Sequence, residues 1–178
     1  MVDQKVILVN EQDEPIGAMD KLEAHRLGLL HRAFSVFIFN EEGQMLLQKR
    51  AATKYHGAGL WSNACCSHPY VNEPTEKAAL RRLQEELGFE TGLKKIFHFS
   101  YKVSVENGLT ENEFDHVFVG RYSDEIKPNS EEVSDFAYLS LEEIKEKIQR
   151  DETKFTTWFR IAFPRIESWW QKEYCIAT

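Results

Sequence analysis

The stretch Trp61-Ser62-Asn63-Ala64-Cys65-Cys66-Ser67-His68-Pro69 sets a thiol and an imidazole two residues apart, inside a run from Tyr55 to Asn72 that holds no Asp, Glu, Lys or Arg. If the run is extended, Cys66 and His68 project to one side and Cys65 to the other, because side-chain direction alternates along a strand. One of the adjacent cysteines at most then shares a site with His68. For any Cys-x-His taken alone the competing reading is a buried thiol beside a satisfied core histidine. A second candidate is Glu111-Asn112-Glu113. Extended, it turns two carboxylates to the same side, where they repel unless something cationic lies between them. The alternative there is an acidic strand end in solvent.

The elements that must position these groups follow from pattern. Lys5 to Asn10 is a short apolar run closed by a polar cluster and Pro15, which predicts a strand and a turn. A brief helix over Asp20 to Leu27 carries Lys21 and His25 and stops at Gly28. His31 precedes the β-rich run Ala33 to Phe39, and Asn40-Glu41-Glu42-Gly43 turns it into Gln44 to Arg50, a predicted hairpin with Arg50 at its far end near Lys54. The clearest helix runs from about Glu73 to Leu87, with Pro74 and Glu76 in its first turn and Gly88 just past its end. Ala79, Leu80, Leu83 and Leu87 form its apolar stripe, and Arg81/Glu85 and Arg82/Glu86 stand at the four-residue spacing of surface ion pairs.

Further on, Ile96 to Val105 and Phe114 to Tyr122 are predicted strands joined through Glu106-Asn107-Gly108. Glu131 to Leu139 is another, and Ser140-Leu141-Glu142-Glu143 has capping-box spacing for a helix to about Arg150. The tail from Phe155 to Tyr174, with Trp158, Phe159, Trp169 and Trp170, is an amphipathic helix whose aromatics serve core packing. No linker, internal repeat or low-complexity segment interrupts the pattern. Strands alternating irregularly with helices argue an α+β or mixed sheet layered between helices.

Composition narrows the function. A chain of 178 residues with 42% hydrophobic and 12% aromatic residues fits one domain, 1–178, with an ample core. No apolar run suits a membrane span, and residues 1 to 20 lack a leader pattern, so a cytoplasmic protein is expected. The three cysteines, Cys65, Cys66 and Cys175, suggest free thiols in a reducing compartment. A net charge of -7 disfavours nucleic-acid binding, although a small anion can bind at a local basic cluster or through a metal ion.

Glu73 to Phe89 resembles the Nudix box, G-x5-E-x7-R-E-U-x-E-E-x-G-U with U a bulky apolar residue. Glu73, Arg81, Leu83, Glu85, Glu86, Gly88 and Phe89 match in register, whereas Ser67 stands for the initial Gly and Arg82 for the first helical Glu. One branch of this superfamily, the type 1 isopentenyl-diphosphate Δ-isomerases, is similar nearly from end to end. The matching blocks are Gly28 to Ser35, Asn63 to Pro69, Arg81 to Gly88 and Glu111 to Glu113. The resemblance implies a Nudix-type mixed β-sheet sandwiched between helices, and interconversion of isopentenyl and dimethylallyl diphosphate in isoprenoid biosynthesis. It implies that His25, His31, His68, Glu111 and Glu113 bind one divalent metal, Zn²⁺, Mn²⁺ or Mg²⁺. Cys66 and Glu113 then handle protons, and Glu86 helps hold a Mg²⁺ that arrives with the diphosphate. Lys21, Arg50, Lys54 and Arg82 take the diphosphate, with Tyr101 and Trp158 near the reacting carbons. A monomer is expected rather than an oligomer.

The implied chemistry requires such a set. Shifting the double bond adds a proton at one carbon and removes one from another through a tertiary carbocation, so an acid and a base must flank the substrate. Three imidazoles with two carboxylates make a mixed N/O shell suited to those metals, and an indole face can stabilise a cation. Two other functions compete. A Nudix pyrophosphohydrolase would share the fold, but Arg82 reverses a charge in its metal-binding box. A structural zinc module closed by Cys66, His68, His25 and His31 would leave Glu111, Glu113 and the basic residues unexplained.

Overall fold

The computed structural model describes residues 5–54 and 56–174, so Cys175, and Tyr55 at the head of the uncharged run, lie outside the described residues. The chain is arranged around β3 (His31–Phe39). Phe34, Val36 and Ile38 project to one face and Phe37 and Phe39 to the other, and all five are buried, so this strand needs cover on both sides. One edge of β3 pairs in parallel with β8 (Thr110–Arg121), from His31 opposite Glu113 to Phe39 opposite Arg121. Its other edge is divided among β1 (Lys5–Val9) at His31, β6 (Cys65–Ser67) at Phe34 to Val36, and β4 (Met45–Arg50) at Phe39. β2 (Pro15–Asp20) lies outside β1, β5 (Trp61–Asn63) and β9 (Val133–Leu139) flank β4, and β7 (Leu93–Ser104) pairs with β8.

Helices cover both faces of this mixed sheet. α2 (Thr75–Leu87) buries Ala78, Ala79, Leu83 and Leu87 against Phe34, Val36, Ile38 and Cys65. On the opposite face α3 (Leu141–Arg150) and α4 (Thr157–Tyr174) bury Ile144, Phe159, Ala162, Phe163 and Ile166 against Phe37, Phe39, Met45 and Leu47. The result is the α+β sandwich expected. The capping box at Ser140 and Glu143 is formed, and Trp170 stacks on Phe39 with ring centroids 3.8 Å apart, a core role as expected. No helix among the described residues is long and apolar enough to cross a membrane.

One local expectation fails, and one strand was not foreseen. The predicted hairpin exists only as a turn, for its strands pair only at Phe39 and Met45. β6 occupies the edge of β3 that the hairpin would use, while β4 gains a full-length partner in β9. β2 gave no signal because nearly all its side chains are exposed; only backbone pairing with β1 holds it. α1 (Lys21–Leu27) forms as expected, with the Asp20 side chain accepting from Glu23 N–H and Gly28 closing it in the left-handed region. Gly88 does the same for α2 at φ +76°, and a Cβ there would collide with the Lys127 carbonyl.

Arg81 behaves differently from its expected pairing with Glu85. Its main partner is Glu73, gripped by Nε at 2.7 Å and Nη2 at 2.8 Å, while Glu85 lies 3.3 Å from Nη1. Glu73 also accepts from Tyr70 N–H at 2.8 Å, which pins the segment after His68 to α2. The Arg81 fork holds the Glu73 carboxyl below its ordinary pKa of 4.5. A depressed carboxylate stabilises the fold above the unfolded pKa and loses that contribution as pH falls through the folded one. Glu73→Gln is therefore expected to cost about 1 kcal/mol at pH 7, discounted for partial exposure. Denaturant melts should show the gap closing below pH about 4; an undiminished gap at pH 3 would contradict the pairing.

Candidate active site

Alternation along β5 and β6 sorts the two cysteines as the sequence predicts. Cys65 is buried in the α2-side core, whereas Cys66 and His68 open into one cleft, both as free-thiol and imidazole groups facing Tyr101, Glu113 and Trp158. The Cys66 thiol donates to Asn63 Oδ1 at 3.0 Å and lies 3.4 Å from Ser35 Oγ. Ser35 in turn donates to Asp115 Oδ2 at 2.7 Å. Burial, reinforced by the Asp115 charge, pushes the Cys66 thiol up to about 12, so it keeps its proton at neutral pH.

Three histidines from different elements meet beside it. His25 on α1, His31 at the head of β3 and His68 after β6 have ring centroids 4.7, 5.0 and 5.5 Å apart. His25 Nδ1 is 2.6 Å from the Lys21 carbonyl and His31 Nδ1 is 2.8 Å from the Leu29 carbonyl. His25 and His31 thus give their Nδ1–H to the backbone and turn Nε2 inward, the arrangement that orients a metal ligand. One ligand atom each from His25, His31, His68 and Glu113 lie within 4.8 Å of one another. His31 Nε2 is buried without a hydrogen-bond partner, a cost that a bound cation would remove. These residues therefore fit a divalent metal.

The acidic pair is buried, not solvent-facing: Glu111 is 3% exposed and Glu113 8%. Glu113 Oε1 is 2.8 Å from His68 Nε2, and its Oε2 accepts from the Tyr101 hydroxyl at 2.6 Å. Burial opposes its charge, but the His31 imidazole 3.6 Å away and the hydrogen bond from Tyr101 outweigh that and hold the carboxyl at about 2. Glu111 Oε2 is 3.1 Å from His25 Nε2 and its Oε1 is 2.7 Å from His56 Nε2.

Four cations, Lys21, Arg50, Lys54 and Arg82, line the same cleft together with Glu86. Burial pushes the Lys21 amine down to about 8. Arg82 grips Glu86 Oε1 at 2.6 Å and Glu85 Oε2 at 2.8 Å, and Glu132 lies 3.3 Å away and also pairs with Lys54. Glu86 is 5% exposed and takes Gln48 Nε2 at 2.8 Å, so Arg82/Glu86 is a buried pair and not the surface pair its spacing suggested. The Arg50 guanidinium lies 5.2 Å from the Trp158 ring centroid, and Trp158 is fixed by its Nε1–H donating to Ser62 Oγ at 3.1 Å.

All thirteen residues singled out in the sequence, from Lys21 to Trp158, meet at this cleft or in its histidine cluster. Cys66 is outside that cluster and Glu113 holds the fourth place, which argues against the structural zinc module. Three participants escaped. Asp115 continues the alternation of Glu111 and Glu113 along β8, a signal that was available. His56 lies in the same uncharged run as Cys66, with no spacing to mark it, and Glu132 resembles any surface acid.

The fold and this cleft, a box helix under a mixed sheet with carboxylates and cations facing one pocket, define a Nudix-type protein. The NUDIX domain model matches residues 29–159. Crystal structures of proteins from Deinococcus radiodurans and Methanosarcina mazei, the latter described as a MutT protein, share the fold with TM-scores of 0.70 and 0.64. They are 22% and 20% identical, covering 83% and 78% of this chain and 90% and 94% of theirs. Sequence relatives are more specific. The isopentenyl-diphosphate Delta-isomerase 2 of Photorhabdus laumondii is 46% identical, covering 94% of this chain and 98% of the relative. The isopentenyl-diphosphate Delta-isomerase of Pectobacterium atrosepticum is 47% identical, covering 94% and 93%. The chain belongs to the Nudix family and, within it, to the group of proteins that carry the isopentenyl-diphosphate Delta-isomerase name.

The histidine cluster generates a direct test. Chelator-stripped protein should take up one Mn²⁺ or Zn²⁺ per chain in calorimetric titration, and His31→Ala should weaken that binding by about ten-fold or more. Unchanged affinity in His31→Ala would mean the metal binds elsewhere.

Proposed function

We propose that this enzyme interconverts isopentenyl diphosphate and dimethylallyl diphosphate. The observation that carries the reading is a thiol, Cys66, and a carboxylate, Glu113, facing one cleft that Lys21, Arg50, Lys54 and Arg82 also line. The shared name of relatives at 46% and 47% identity supports it. The diphosphate is gripped by Lys21, Arg50, Lys54 and Arg82, whose anion would also relieve the buried Lys21 charge. The hydrocarbon lies between Cys66 and Glu113, one of which delivers a proton to a terminal carbon while the other removes one from the neighbouring methylene. The carbon between them is cationic midway, and the Trp158 face and Tyr101 line the space where it forms.

His25, His31, His68, Glu111 and Glu113 would hold a divalent metal, Zn²⁺, Mn²⁺ or Mg²⁺, and Glu86 a Mg²⁺ carried in with the diphosphate. When bound, such cations supply positive charge that tunes the nearby carboxylates and neutralises the phosphates. A monomer is proposed as the working unit, and the free Cys65 and Cys66 thiols suit a reducing cytoplasm. Against a hydrolase stands Arg82, whose guanidinium is spread over Glu85, Glu86 and Glu132, where the hydrolytic box needs another metal-binding carboxylate.

Incubation with isopentenyl diphosphate and Mg²⁺ should yield dimethylallyl diphosphate without phosphate release; phosphate release would favour hydrolysis. Cys66→Ala should abolish isomerisation while Cys65→Ala keeps most of it, and comparable loss in both would overturn the role given to Cys66. Arg82→Ala is expected to raise the Michaelis constant by about ten-fold to a hundred-fold, the worth of a charge-assisted hydrogen bond. An unchanged constant would leave Arg82 as no more than a partner of Glu86.

A further inference from the structure

The loop between β4 and β5 carries a histidine that the chemistry above does not use. His56 is buried, its Nε2 lies 2.7 Å from Glu111 Oε1, and its ring meets the Trp158 indole edge-on with centroids 5.6 Å apart. Its main-chain carbonyl accepts from Arg50 Nη2 at 3.1 Å, and the Gly57 carbonyl accepts from Arg50 Nε at 3.2 Å. One dipeptide therefore touches the carboxylate beside His25, the indole wall and the Arg50 guanidinium. Gly57 has φ +59°, and a Cβ there would come within 3.2 Å of both Arg50 Nε and the Trp158 ring, so the loop is threaded where no side chain fits.

The two oxygens of Glu111 have separate partners. Oε2 faces His25 Nε2 at 3.1 Å, and Oε1 is taken by His56. The terminal torsion of a glutamate is soft, so a hydrogen bond to one oxygen decides which way the other points. We propose that His56 is a positioning residue: it fixes the Glu111 carboxylate so that Oε2 is presented to the histidine cluster, and its main chain ties that orientation to Arg50. The inference rests on reading the cleft as a metal-dependent diphosphate site. His56 acts through Glu111 and does not touch the reacting carbons. Were it merely filler beneath Trp158, any side chain of similar bulk would serve and Glu111 would be indifferent to it.

The test compares the parent, His56→Ala, His56→Gln and Glu111→Gln, with Mn²⁺ affinity measured on chelator-stripped protein and kcat and KM measured with isopentenyl diphosphate. His56→Ala is expected to weaken Mn²⁺ binding and lower kcat by about ten-fold each, the usual cost of losing a partner of a metal ligand. KM should move by no more than about three-fold, because Arg50 keeps its main-chain carbonyls. His56→Gln, whose amide N–H can donate to the carboxylate, should restore most of both losses. In the Glu111→Gln background, His56→Ala should cost less than about two-fold, as expected when one residue acts through the other. The proposal is overturned if Mn²⁺ affinity in His56→Ala stays within about two-fold of the parent, or if His56→Gln is as impaired as His56→Ala. Should His56→Ala fail to fold, His56→Gln and the Glu111→Gln pair still decide. A parent that binds Mn²⁺ but forms no product would defeat the isomerase reading alone, leaving the affinity measurements to judge His56.

Discussion

Glu111 and Glu113 lie side by side on one face of β8, buried from water, and like charges in that position stand only if donors or cations meet their oxygens. Strand order supplies them. β8 runs between β3 and β7, so Glu113 has His31 opposite it on one neighbour and Tyr101 opposite it on the other. β6 pairs with β3 and delivers His68 to the same carboxylate, while α1 brings His25 to Glu111. The divided edge of β3, which defeats the expected hairpin, is thus what puts Cys66 and His68 beside the acidic pair. A full β3–β4 hairpin would occupy that edge.

The cations of the cleft pose the complementary problem. Lys21, Arg50, Lys54 and Arg82 converge, and the protein offsets part of their repulsion with Glu86 and Glu132. Lys21 remains held down to about 8 by burial, so an anion entering there stabilises a charge that the fold disfavours. The proposed acid–base groups and the proposed anion-binding cations line one cleft, which the Tyr101 and Trp158 rings also line. Such a lining suits a substrate with a charged head and a reacting apolar tail, as the proposed isomerisation requires.

Much of this was legible because two periodicities carried it. Alternation separated Cys65 from Cys66 and put Glu111 with Glu113, and followed one step further it would have reached Asp115. Helical spacing found α2 and the Arg82/Glu86 pair, though not the burial of that pair, which depends on Gln48 from another strand. The resemblance supplied the remaining site residues, most of them outside the four matching blocks: Lys21, His25, Arg50, Lys54, Tyr101 and Trp158. His56 and Glu132 had no local signal, since each acquires its partner from a residue far off in sequence: Glu111 for one, Lys54 and Arg82 for the other. β2 was missed for a related reason, being held by backbone pairing and not by a buried face.

The central claim, that this cleft moves protons on carbon and leaves the diphosphate intact, is tested most directly by running the reaction in D₂O and locating the label by NMR. A thiol and a carboxylate exchange with solvent, so the account predicts deuterium in the methyl group newly formed in dimethylallyl diphosphate, with no phosphate released. Product without deuterium, or phosphate appearing in its place, would contradict it.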